Sequence, residues 1–99
     1  MRRVDNSAVD RWRALDAHII LSTFAEHCKS DGTFVPRTAH GTTRWHASVQ
    51  GADYEFLLNG PKFWDVRVQR GGGGAIDFVI HLTGGDFRSA AKLLVSAGL

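Results

Sequence analysis

The chain has 99 residues, of which 43% are hydrophobic and 22% charged, so we expect one compact domain with a modest core and no second domain. Its 12 Lys and Arg residues against 10 Asp and Glu residues give a formal charge of +2, which permits a nucleic-acid partner without requiring one. The single cysteine, Cys28, excludes an intramolecular disulfide. The apolar run Ile19-Ile20-Leu21 is too short for a signal peptide or a membrane span. We therefore expect a cytoplasmic protein without membrane association.

The first third of the chain has the pattern of an amphipathic helix. Apolar residues recur at spacings of three and four from Val9 to Cys28, with a break near Asp16. This periodicity predicts a helical N-terminal segment over residues 1–30. The residues that follow predict a short strand over 33–35, before a proline that removes a backbone donor.

The middle of the chain changes to the two-residue period of half-buried strands. Residues 33–70 predict an antiparallel meander of three or four strands, and Asn59-Gly60 is a strong hairpin signal. The side chains expected on the core face are those of Thr43, Trp45, Ala47 and Val49, then Tyr54, Phe56 and Leu58, then Trp64, Val66 and Val68.

Two helices are predicted over residues 75–98, after a run of four glycines. The first is apolar on most sides and is expected to lie buried under the sheet. Asp86 is suited to cap the second, and Gly98 is suited to end it. The predicted fold class is therefore α+β, with a small antiparallel sheet of three to four strands packed against an N-terminal helix and two C-terminal helices, in a single domain over residues 1–99.

Part of this pattern resembles a known family. The string Phe63-Trp64-Asp65-Val66-Arg67-Val68-Gln69-Arg70, the four glycines and Ala75-Ile76-Asp77-Phe78-Val79-Ile80-His81-Leu82 are similar to the second half of the N-terminal zinc-binding domain of bacterial DnaG-type DNA primases. The stretch Phe87-Arg88-Ser89-Ala90-Ala91-Lys92-Leu93-Leu94 resembles the helix that closes that domain. The resemblance covers roughly residues 54–97.

The zinc ligands of that family are missing here. Its Cys-x-x-Cys positions fall on Val66 and Gln69, and its earlier ligand pair falls near His46 and Val49, so three of four donors are lost. The resemblance therefore implies the zinc-binding fold without zinc, with hydrophobic core in place of the metal and no cofactor. In this form the chain resembles primase-like proteins of plasmids, phages and conjugative elements.

Basic residues lie on or beside the predicted hairpin, and strand alternation predicts that an aromatic ring accompanies them on the outer face. Such surfaces bind single strands by stacking bases on rings while cations contact phosphates, and glycine amides allow close approach. The same pattern is compatible with a solvated outer face in which Asp65 neutralises one arginine, and with a glycine run that forms only a tight turn. The predicted nucleic-acid-binding residues are Lys62, Phe63, Arg67, Arg70, Gly71, Gly72, Gly73 and Gly74.

These observations predict a non-catalytic, metal-free module, because no nucleophile motif or standard metal spacing is present in the sequence. The expected role is binding of single-stranded DNA or a primed template in the replication machinery of a phage or mobile element. A separately encoded primase, polymerase or host nucleic-acid enzyme is the corresponding protein partner.

Two alternatives stay open at this point. One is a protein-protein interaction module by which a phage or mobile element inhibits or regulates a host complex, such as a defence complex, anchored by Phe63 or by the first helix. The other is a dimer that buries the apolar stripe of the first helix. The sequence leaves the oligomeric state open.

Overall fold

A computed structural model describes residues 6–37 and 40–99 of the chain. Residues 1–5 of the predicted helical segment and residues 38–39 of the predicted meander lie outside the described residues. In chain order the elements are α1 (Asn6–Ala14), α2 (Ala17–Phe24), β1 (His27–Ser30), β2 (Thr43–Val49), β3 (Ala52–Asn59), β4 (Lys62–Asp65), β5 (Arg70–Gly73), α3 (Ala75–Thr83) and α4 (Phe87–Ser96).

The five strands form one antiparallel sheet in the order β1-β2-β3-β4-β5, so each strand pairs with its neighbours in sequence. The predicted α+β class, with helices at both ends of the chain, is confirmed, and the sheet is one strand larger than the three to four expected. The core lies between the helices and one face of the sheet, here called the inner face. Its strand residues are Ala47, Val49, Phe56, Leu58 and Phe63.

The N-terminal prediction is right about the break and wrong about the end of the helix. Asp16 separates α1 from α2, as expected, but α2 ends at Phe24 and Ala25 is already extended. Cys28 continues the apolar spacing in the sequence, yet it lies in β1, opposite Ala47 of β2. Cys28 faces the same core from a strand, at a sequence spacing from Phe24 that also fits a helix, so the pattern predicted a helix that was too long.

The strand predicted over residues 33–35 is also wrong, because this segment forms a turn. The Asp31 carboxylate accepts hydrogen bonds from the Thr33 amide at 2.9 Å and the Thr33 hydroxyl at 2.7 Å. These bonds, from the hydroxyl first and then the amide, hold the pKa of Asp31 below its usual value. The meander therefore runs from β1 to β5 without a strand between residues 31 and 37.

Most of the apolar stripe of the first two helices is covered within the chain. Trp12, Ile20 and Leu21 are all buried in the core, whereas Ile19 is 36% exposed. The buried part of the stripe packs against the sheet and α3, which reduces the apolar surface that the dimer alternative required.

The predicted face of the fourth strand is inverted. Phe63 is 5% exposed and stacks on Phe78 with ring centroids 4.4 Å apart, whereas Trp64 is 44% exposed on the opposite, outer face. The core face expected for Trp64, Val66 and Val68 is wrong because β4 turns Phe63 and Asp65 inward, which places Trp64 outward, and because the strand then ends at Asp65. Residues 66–69 form a turn, so strand alternation does not continue through them.

The glycine run is a strand and a helix start rather than a loop. Gly71, Gly72 and Gly73 lie in β5 and pair with β4, while Gly74, at φ 91°, immediately precedes α3. Positive φ is thus needed at one of the four glycines only, since the other three have ordinary strand conformation. The edge amide of Gly73 donates to the Asp77 carboxylate at 3.2 Å.

The two C-terminal helices agree with their prediction. α3 buries Ala75, Phe78, Val79 and Leu82. Asp86 caps α4 through a capping box with Ser89, whose amide donates to the carboxylate at 2.9 Å. The Ser89 bonds lower the pKa of Asp86, so this cap contributes to stability above the unfolded carboxyl pKa and is lost as the pH falls through the lowered value.

The longest helix within residues 6–37 and 40–99 has 10 residues. A helix needs about 20 apolar residues to cross a bilayer, so no helix in this part of the chain is a candidate membrane span.

Because Phe63 belongs to the core, its truncation is expected to act on stability. Phe63→Ala should lower the free energy of unfolding by about 3 kcal/mol, the usual cost of emptying a buried aromatic site. The exposed Phe87, on α4, is the matched control, and Phe87→Ala should stay within about 1 kcal/mol of the wild type. Urea unfolding followed by circular dichroism measures both. A Phe63→Ala variant as stable as the wild type would contradict the assignment of this ring to the core.

Candidate nucleic-acid interface

The outer face of the sheet carries one row of side chains in register across four strands. Arg44 of β2 lies opposite Leu57 of β3, Leu57 lies opposite Trp64 of β4, and Trp64 lies opposite Gly71 of β5. Partners in antiparallel register project to the same face, so these side chains are neighbours. The helices contact the inner face, and in this row Trp64 is exposed while Arg44 and Leu57 are half-buried.

Gly71 allows the Trp64 ring to lie against the sheet. A β-carbon at Gly71 would be 2.8 Å from Cε3 of Trp64, closer than carbon atoms approach one another. The ring therefore covers the glycine backbone and is partly exposed to solvent. A large ring that lies across a sheet in this way is a suitable platform for another planar group.

A groove of about 590 Å³ runs beside this ring, and we call it the outer groove. Its walls come from the β3-β4 hairpin and from β5. The lining residues are Thr42, Leu57, Asn59, Gly60, Pro61, Lys62, Phe63, Trp64, Gly71 and Gly72.

Positive charge exceeds negative charge on this face. Lys29 and Lys62 are exposed and make no hydrogen bond or ion pair with another described residue. Arg44 forms an ion pair with Glu55, and the guanidinium of Arg67 donates to the backbone carbonyl of Asp53. The face therefore holds the four cations Lys29, Lys62, Arg44 and Arg67 against the three carboxylates Asp31, Asp53 and Glu55.

The structure divides the predicted binding residues between three places. Lys62 and Arg67 lie at the outer face, as expected. Phe63 is in the core and is not accessible for stacking, which corrects its assignment as a surface aromatic. Arg70 lies opposite Asp65, so it projects to the inner side of the sheet edge. Trp64 supplies the exposed ring that was expected at Phe63, and no signal in the sequence indicated this, because the inward position of Asp65 depends on its partner in the folded chain.

That partner is His81 of α3. Nε2 of His81 lies 2.7 Å from Oδ2 of Asp65, and the Asp65 residue is 1% exposed. The other carboxylate oxygen accepts hydrogen bonds from the backbone amides of Arg67 at 3.0 Å and Val68 at 3.3 Å. Asp65 therefore binds α3 on one side and the β4-β5 turn on the other. Because neighbouring residues of a strand project to opposite faces, an inward Asp65 places Trp64 on the outer face.

A second depression, here called the inner cleft, lies on the other side of the β5 edge, between the sheet and α3. It has a volume of about 720 Å³. Asp65 and His81 line it together with Arg70 and Asp77. The complete lining is Tyr54, Phe63, Asp65, Val68, Arg70, Gly71, Asp77, Ile80, His81, Gly84 and Gly85.

The positions that correspond to the family's zinc ligands do not converge in a way that could hold a metal. Val66 and Gln69 lie in the β4-β5 turn, while His46 and Val49 project to opposite faces of β2, Val49 into the core. No group of three His, Cys, Asp or Glu side chains within residues 6–37 and 40–99 is arranged as a metal site. At this turn the backbone amides are held by the Asp65 carboxylate instead.

Comparison with known proteins gives one short match. A "65 kDa protein" of Zymomonas mobilis subsp. mobilis is 42% identical to this chain over 41 residues, which is 41% of this chain and 7% of that protein. The chain therefore spans only a small part of the relative that it matches. No family model matches the chain. No solved structure matches it.

The Asp65 network makes a testable contribution to stability. Asp65→Ala leaves the His81 nitrogen and two turn amides without their acceptor, so it should lower the free energy of unfolding by about 3 kcal/mol. Asp53→Ala is the matched control, because this carboxylate is exposed and, within the described part of the chain, accepts a hydrogen bond from Ser48 alone. Its effect should be below about 1 kcal/mol. Urea titrations of both variants provide the comparison. Equal effects would show that the buried carboxylate does not hold the turn.

Proposed function

We propose that this chain is a non-catalytic module that binds single-stranded DNA on the outer face of its sheet. The observation that carries the proposal is the exposed Trp64 ring, which lies over Gly71 beside Lys62, whose ammonium group has no partner among residues 6–37 and 40–99. Proteins that hold single strands combine rings on which bases stack with cations that follow the phosphates. Both parts meet in the outer groove.

The row beside Trp64 extends the platform. Leu57 is its direct cross-strand neighbour, and the Arg44 guanidinium lies one strand further along the same row. A second base that lies beside the first along this row, rather than on top of it, would contact Leu57 and Arg44. Arginine also packs against base faces, so its ion pair with Glu55 holds the guanidinium in place without removing it from the face.

The charges support a polyanion as the occupant. Lys29 and Lys62 have no counter-ion among the described residues, and Arg67 uses its guanidinium on a backbone carbonyl rather than on a carboxylate. Cations without protein counter-ions gain from phosphate contacts through the release of condensed salt ions. This complementarity favours nucleic acid over a neutral apolar partner.

The groove favours a mode of binding that tolerates many sequences. The Asn59 amide, the side chain in the groove most suited to read a base edge, donates to the His40 carbonyl at 3.3 Å and to the Thr42 hydroxyl at 3.0 Å. Its donors are thus occupied by the protein. Stacking and phosphate contacts do not depend on base identity, so we expect little sequence preference.

The resemblance to the zinc-binding domain of primases supplies the biological context of the proposal. The module would hold template DNA, or a primed template, in the replication machinery of a phage or mobile element in the cytoplasm. It would act beside a separately encoded primase, polymerase or host nucleic-acid enzyme. Catalysis would belong to that partner.

Truncation of the platform is the first test. Trp64→Ala should weaken binding to a fluorescein-labelled oligothymidylate about tenfold, because stacking of one base on an aromatic ring contributes about 1–3 kcal/mol. Fluorescence anisotropy at low and moderate salt measures the affinity. Phe87→Ala removes an equally exposed ring, 50% exposed against 44%, from the helical layer and should leave the affinity unchanged.

Thermal melts of both variants establish that they are folded. Equal affinities of Trp64→Ala and wild type would reject the platform. An oligouridylate RNA of the same length is the second probe. If it binds more tightly than the oligothymidylate, DNA is rejected as the occupant.

A second prediction concerns charge. Lys62→Gln should reduce the slope of log affinity against log salt concentration by about 0.7, the value for one phosphate contact to a single strand. Lys92→Gln removes the same charge from an exposed position on α4 and should leave the slope as it is. Anisotropy titrations at four salt concentrations give both slopes.

The charge experiment also tests the protein-protein alternative. An outer face that serves as an aromatic-anchored protein interface binds no oligonucleotide at low salt, and Lys62→Gln then has no slope to change. That result would overturn the proposed function.

A further inference from the structure

We infer that the bound strand does not end in the outer groove but crosses the β5 edge of the sheet, so that a phosphate further along the DNA reaches Arg70 in the inner cleft. This inference rests on the proposed function and adds a path and a second contact to it.

The two depressions meet at the edge of the sheet. The outer groove and the inner cleft share Phe63 and Gly71 in their linings, so only the β5 backbone and the Phe63 ring separate them. β5 is the last strand in the sheet order, and no further strand of the described chain covers its free edge. A DNA strand that leaves Trp64 in the direction of β5 therefore arrives at the exposed edge of this strand, Arg70–Gly73, which we call the rim.

Three of the four residues of the rim are glycines, so the backbone there carries no side chains. Gly71, Gly72 and Gly73 have no side chains of their own, but the Trp64 ring covers Gly71 and the Asp77 carboxylate lies against Gly72. Gly73 is therefore the position at which a sugar-phosphate backbone can approach the peptide group closely. At Gly71 and Gly72 a β-carbon would lie 2.8 Å from Trp64 Cε3 and 2.6 Å from the Asp77 carboxylate, respectively. The rim must therefore stay free of side chains at these two positions.

Arg70 is the residue of β5 that has a side chain, and it marks the far side of the rim. It is exposed, it lines the inner cleft, and it makes no ion pair with another described residue. The carboxylates of the cleft already have partners: Asp65 accepts from His81 and two amides, and Asp77 accepts from the Gly73 amide. The hydrogen bond from the Gly73 amide leaves the negative charge of Asp77 in place, and Arg70 is the cation of the cleft that has no ion pair with another described residue.

A length series tests this path. An oligothymidylate of about four nucleotides fills the outer groove alone, whereas one of about ten nucleotides is long enough to pass the rim. Arg70→Gln should leave the affinity for the short probe unchanged. For the long probe it should weaken binding about fivefold and lower the salt slope by about 0.7, the value for one lost phosphate contact.

Arg70→Lys and Lys92→Gln are the controls. Arg70→Lys keeps the charge and should restore the salt slope for the long probe. Lys92→Gln changes the net charge by the same amount on the helical layer, so it should affect neither probe.

The outcomes separate the path from the function. If both probes bind in a manner that depends on Trp64, but Arg70→Gln affects them equally or not at all, the strand does not cross the rim and the proposed function still holds. If neither probe binds, or if Trp64→Ala has no effect, the proposed function itself fails and the path fails with it.

Discussion

The buried carboxylate of Asp65 is the interaction on which the rest of this arrangement depends. Its two oxygens join the α3 side chain of His81 to the amides of the β4-β5 turn, so one residue connects the helical layer to the end of the sheet. Because Asp65 faces inward, its neighbour Trp64 must face outward. An acid and a histidine, with the packed rings of Phe63 and Phe78, hold this region of the fold together.

The parts of the fold that follow from local chemistry were predictable from the sequence. Alternation placed Ala47 and Val49 in the core, and the acid that begins α4 forms the capping box that its type favours. The inverted face of β4 has a physical reason. An aspartate is normally assigned to solvent, and the apolar residues 64, 66 and 68 extend an apparent two-residue period through a turn. Only the position of His81, 16 residues further along the chain, makes an inward Asp65 favourable.

The type of surface at the candidate site was predictable from the sequence, but several of the residues that form it were not. Basic residues beside a hairpin indicated a surface for phosphates, and Lys62 is where that pattern expected it. The exposed ring is Trp64 rather than the predicted Phe63, and Arg70 projects to the inner side of the sheet rather than the outer side. Both differences depend on strand register, which is a tertiary property. β1 was missed for a related reason. Cys28 faces the core from a strand at a spacing that a helix would also give, and only its pairing with β2 distinguishes the two.

The hydrogen bond from the Gly73 amide to the Asp77 carboxylate also affects how copies of this protein meet in solution. A flat strand of glycines at the end of a sheet would ordinarily invite the edge of another molecule, since it presents backbone donors and acceptors without side chains to obstruct them. Asp77 occupies one of those donors, and its charge faces any second strand that approaches. Self-association through β5 would have to displace this carboxylate, so the bond opposes pairing of β5 with a strand of a second copy.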